Sequence, residues 1–120
     1  MIRLIGRKLI IPQGDTGTFT IPTQGAVNEG DIAILSIYDN LTHETVLEKT
    51  IPATNDVLEF QFETSDTIPI EPDDRGNRYT WDVTIRRSPV EGVYGETDSY
   101  YAAFSLPPCV IKRVTRNVQE

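Results

Sequence analysis

The sequence predicts an all-β fold, specifically an antiparallel two-sheet Ig-like β-sandwich of about seven to eight strands. Three observations predict it. Val, Ile and Thr supply 36 of the 120 residues, against 13 for Ala, Leu and Met together. Branching at Cβ costs rotamer freedom on a helix and packs well on a pleated surface. Apolar residues recur with a period of two in several segments, which puts one set of side chains on each face of a strand. Eight Gly and eight Pro punctuate the chain at the short intervals of a sandwich or barrel. Ala/Leu-rich helical stretches that would cover a parallel sheet are missing, which excludes an α/β enzyme of the Rossmann or barrel type.

Taken in order, Ile2–Ile11 reads as a first extended segment, and residues 12–17 (Pro-Gln-Gly-Asp-Thr-Gly) as a turn. In Thr18–Ile21, Phe19 and Ile21 face inward. A polar loop, Gln24–Asp31, precedes Ile32–Tyr38, which is apolar on both faces and so predicts a central, covered strand. Asp39-Asn40 turns the chain into Thr45–Ile51, a more exposed strand. The clearest alternation is in Val57–Glu63, where Leu58, Phe60 and Phe62 oppose Glu59, Gln61 and Glu63. Arg78–Arg87 repeats it with Tyr79, Trp81, Val83 and Ile85. A helical reading would spread these aromatics around a cylinder. Ser65–Asn77 reads as a Pro-punctuated connection and Ser88–Asp98 as a Gly-rich hairpin loop. Ser99–Leu106 is a further strand, and after Pro107-Pro108 the chain ends in an extended piece, Val110–Val118. No helix is predicted.

At this length residues 1–120 form a single sandwich domain with extended N- and C-terminal segments. No apolar run is long enough to span a bilayer, and the first residues, broken by charge, lack the apolar stretch of a signal peptide. The net charge of −7 is unevenly placed: residues 1–8 carry +3, residues 112–120 carry +2, and residues 9–111 carry −12. An acidic body repels phosphate, so nucleic acid is not an expected partner. The basic ends (Arg3, Arg7 and Lys8; Lys112 and Arg113) are instead candidate contacts with acidic neighbours, including copies of the same body. A lone cysteine, Cys109, makes no internal disulfide and reads as a buried structural thiol of a protein made in a reducing cytoplasm.

Catalytic chemistry finds few candidates. One His and one Cys cannot build a multi-histidine zinc site or a cysteine cluster. His43 lies in a turn, where a solvated imidazole is expected, and no Ser occupies a Gly-x-Ser-x-Gly elbow. Glu71, Asp73 and Asp74 crowd one loop without the ligand spacing of an EF-hand. We therefore expect no enzyme activity, no cofactor and no metal. Tyr94 and Tyr101 flank the Gly-rich loop and are candidate partner contacts; exposed aromatics there would stack on sugar rings. The alternative function is accordingly a sandwich module that recognises carbohydrate or a cell surface.

The order of the segments carries a resemblance. The run 13–20 (Gln-Gly-Asp-Thr-Gly-Thr-Phe-Thr) resembles the opening of small β-sandwich domains of bacteriophage and prophage tail or baseplate proteins. A Gly-Asp before a buried strand (Gly30-Asp31) follows, then the Phe60–Thr67 strand and the Gly76–Ile85 strand, then a Gly-containing hairpin closing at Phe104. The chain is similar in this order to the amino-terminal domain of baseplate upper proteins. The resemblance implies a virion structural protein made in the bacterial cytoplasm. Its partners would be other virion proteins or copies of itself in a homo-oligomer; the acidic body and the lack of a long apolar run separately predict no nucleic acid and no membrane.

Overall fold

Alternation along the chain becomes strand register in the computed structural model, which describes residues 2–23, 27, 29–54, 56–86 and 107–113 and the backbone of 97–99. The first extended segment is two strands, β1 (Arg3–Ile5) and β2 (Lys8–Pro12), paired antiparallel with Ile5 opposite Lys8. The cause of this departure from the expected single strand is Gly6. Its φ of +62° suits the first position of a two-residue hairpin turn, where side-chain-bearing residues are strained.

Strand β3 (Gly17–Pro22) pairs antiparallel with β6 (Val57–Phe62), setting Phe19 opposite Phe60 and Ile21 opposite Leu58. Between them in sequence, β4 (Ile32–Asp39) and β5 (Glu44–Pro52) form a hairpin. β7 (Tyr79–Arg86) lies along the other side of β4, with Trp81 opposite Ile37 and Tyr79 opposite Asp39. β4 is therefore central, as its two-sided apolar run requires. The second edge of β7 is shared: β9 (Pro108–Lys112) pairs at Tyr79 and Thr80, and β8 (Thr97–Ser99) at Thr84–Arg86.

The larger sheet runs β1-β2-β9-β7-β4-β5 and is mixed, because β2 and β9 pair in parallel from Leu9–Cys109 to Pro12–Lys112. An entirely antiparallel sandwich is thus not what forms. Both strands are apolar on each face (Leu9-Ile10-Ile11 and Cys109-Val110-Ile111), the composition that parallel pairing inside a covered sheet demands. Gly76, at φ +78°, brings the 73–77 turn against the outer side of β9: a Cβ there would stand 2.9 Å from Val110 Cγ2.

The two-stranded β3–β6 ladder packs on the inner face of the larger sheet, and residues of both fill one core. Phe19 meets Trp81 edge to face at 5.8 Å, and the Trp81 indole donates to the Arg7 carbonyl at 3.0 Å. That bond ties the β1–β2 turn to the centre of the molecule. A one-turn helix, α1 (Thr64–Thr67), leads into and overlaps the start of the expected loop 65–77, and its Asp66 reaches back to accept from the Glu63 N–H at 2.7 Å. Among the described residues no helix is long and apolar enough to cross a membrane.

Candidate functional site

Inward positions of β4 continue through Ala33, Leu35 and Ile37 to Asp39, so the alternation that builds the core also delivers a carboxylate to its rim. Asp39 is 2% exposed, and a carboxylate that dry needs donors on every side. Arg78, just before β7, supplies a fork: Nε to Oδ1 at 3.0 Å and Nη2 to Oδ2 at 2.9 Å. The Leu41 N–H adds a third bond at 2.9 Å. These donors, Arg78 foremost, outweigh burial and hold the Asp39 carboxyl at about 2, below its ordinary 3.8.

Arg78 is itself over-committed. Its Nη1 donates to Glu71 at 3.1 Å, and its guanidinium stacks over the Tyr79 ring at 5.2 Å. Tyr79 donates to the Glu71 carbonyl at 2.6 Å, and its burial pushes the phenol's pKa up. Loop 71–78 is tied down in the same way. Asp73 Oδ2 accepts from the Asn77 and Arg78 N–H groups, and Asp74 Oδ1 accepts from the Arg113 N–H. Two adjoining clefts open at this corner, of about 520 and 350 Å³, and share Glu71 and Arg78. Leu41, 69% exposed, stands at the rim of the larger one.

A second polar cluster joins the start of the run 13–20 to α1. Gln13 Nε2 donates to the Ile68 and Ile70 carbonyls at 2.9 and 2.8 Å, and the Gly14 N–H donates to the buried Thr67 hydroxyl at 2.7 Å. Gly14 sits at φ +81° with Ile68 Cδ1 2.9 Å from where a Cβ would stand. These residues lock two loops together. Beside them, Lys49 points inward from β5 to Asp66 at 2.6 Å and over the Phe62 ring. Burial pushes the Asp66 carboxyl up, but Lys49 and the Glu63 N–H outweigh it and hold it below its ordinary value.

The structure brings some of the expected site residues together. Parallel pairing of β2 with β9 puts the two basic ends on one side of the sheet: Arg3, Arg7 and Lys8 on the β1–β2 hairpin, Lys112 and Arg113 at the end of β9. Outward rows of the register carry Lys8, then Arg3, then Lys112, and all three are exposed. Tyr94 and Tyr101 lie outside the described residues. Glu71, Asp73 and Asp74 face guanidinium and backbone donors, and no group of three metal-ligating side chains occurs among the described residues. His43 is exposed in its turn at φ +62°. Cys109 is fully buried, which pushes its thiol pKa up and suits a structural thiol.

Sequence reasoning missed the Asp39–Arg78 fork, although extending the β4 alternation by one step signals it. Compared with known proteins, the chain matches no family model, no curated protein and no solved structure.

Proposed function

We propose that the protein is a non-catalytic structural subunit of a phage or prophage virion, an Ig-like sandwich of the tail or baseplate kind that acts through protein–protein contacts. The observation that carries this reading is the division of labour among its charges. Polar groups at the rim of the core (Asp39, Arg78, Asp73, Asp66 and Lys49) bond to one another or to backbone and hold loops in place. Arg3, Lys8 and Lys112 on the β1–β2–β9 side stand outward, where a partner can meet them. Gln13 and Gly14, which open the run resembling tail and baseplate domains, act as a fold lock, a role that a structural module would keep.

The test is the protein's presence in particles. Mass spectrometry of purified, salt-washed virions from the source strain is expected to find it at a fixed ratio to a tail or baseplate component. Particles that assemble and infect without it would overturn the reading.

A further inference from the structure

The larger sheet is electrically polarised from edge to edge. One edge carries Lys8, Arg3 and Lys112 on successive outward rows of β2, β1 and β9, and residues 1–12 contain no acid. The opposite edge, β5, exposes Glu44 and Glu48. Lys49 on the same strand does not cancel them, because it turns inward to Asp66 at 2.6 Å. Five strand spacings separate β1 from β5, roughly 24 Å. That exceeds two Debye lengths at about 0.1 M salt, so the two edges do not neutralise each other within one molecule. Among the described residues, neither β1 nor β5 has a second strand partner.

We infer that copies of this chain associate head to tail, the basic β1–β2–β9 edge of one against the acidic β5 edge of the next. The inference rests on the reading of the chain as an assembly module and names its partner as a second copy. The two surfaces differ, so the contact is heterologous and propagates into a ring or an open filament. It is made by side chains and not by a continued backbone ladder. β5 carries an irregularity in its pairing between Ile37 and Tyr38 and an inward-pointing lysine, both of which keep an edge from accepting another strand. A contact of this kind is reversible and sensitive to salt.

Sedimentation velocity over a concentration series tests it with the full chain. At about 20 mM NaCl the wild type is expected to form oligomers that grow with concentration; at about 500 mM the apparent Kd weakens by at least about tenfold and the monomer prevails. Two variants act as chain terminators: Arg3→Ala with Lys8→Ala neutralises the basic edge, and Glu44→Gln with Glu48→Gln neutralises the acidic one. Each is expected to be monomeric alone, and an equimolar mixture is expected to give a 1:1 dimer through the two intact edges. A wild type that stays monomeric throughout at low salt, a mixture that yields no dimer from folded variants, or oligomers that survive high salt would each overturn the inference. A monomer in isolation that is nonetheless found in particles would overturn the head-to-tail contact and leave the assembly reading standing.

Discussion

The rim around Asp39 and the edge formed by β1 and β2 use the same chemistry to opposite ends. At the rim, Arg78 spends three nitrogens on Asp39 and Glu71 and its ring-like face on Tyr79. At the edge, Arg3 and Lys8 stand outward on a hairpin that contains no carboxylate. Burial makes the difference. A charge withdrawn from water is stable only when every lone pair or proton finds a partner, so the rim's charges become part of the fold. A solvated charge contributes little to stability and is left for association.

Trp81 is the sharpest place to break that contrast, because it ties the β1–β2 edge to the buried core. Its ring packs against Phe19 and its indole N–H holds the turn between β1 and β2. Trp81→Ala is expected to cost about 4 kcal/mol by urea denaturation and to speed amide exchange in the β1–β2 hairpin more than in β4. Asp39→Asn comes next. It keeps the volume but loses the charge-assisted bonds to Arg78, and the same assay is expected to show a loss of about 2 kcal/mol.

Acid should reproduce part of that loss. The folded-state pKa of Asp39 lies at about 2, below 3.8, so the folded state binds fewer protons than the unfolded one in this window. Its contribution is complete above pH 3.8 and declines as pH falls toward 2; Asp66, also lowered, acts in the same direction. Thermal melts between these limits are expected to show a shallower decline in Asp39→Asn than in the wild type. The smallest effect belongs to the edge. Arg3→Ala with Lys8→Ala is expected to change monomer stability by less than about 0.5 kcal/mol, measured in high salt so that association does not contribute.

The readable parts of this molecule are those where a single local rule decides. Alternation in Val57–Phe62 and Tyr79–Arg86 places Leu58, Phe60, Trp81 and Val83 inside without reference to any partner strand. The same rule, extended through Ile37, puts Asp39 inward, and a buried carboxylate implies a cation. Which cation was not legible, because Arg78 lies 39 residues away and only the β4–β7 register brings it close. Parallel pairing of β2 with β9 was hidden for the same reason: residues such as Leu9 and Cys109 meet across most of the chain, and no turn between them fixes the geometry. The β1–β2 hairpin was signalled by Gly6 but masked by the apolar residues on either side, which read as one strand. Loop 13–15 and α1 hold each other through Gln13 and Gly14, a pairing of two turns that periodicity does not encode.

That rim charges belong to the fold, with Arg78 closing Asp39 off from water, is checked by carbon-detected NMR titration of the Asp39 side-chain carboxyl. The expected midpoint is at about 2, reached with Arg78 still engaged. A midpoint at the ordinary 3.8 would show a carboxylate in contact with water, and would contradict it.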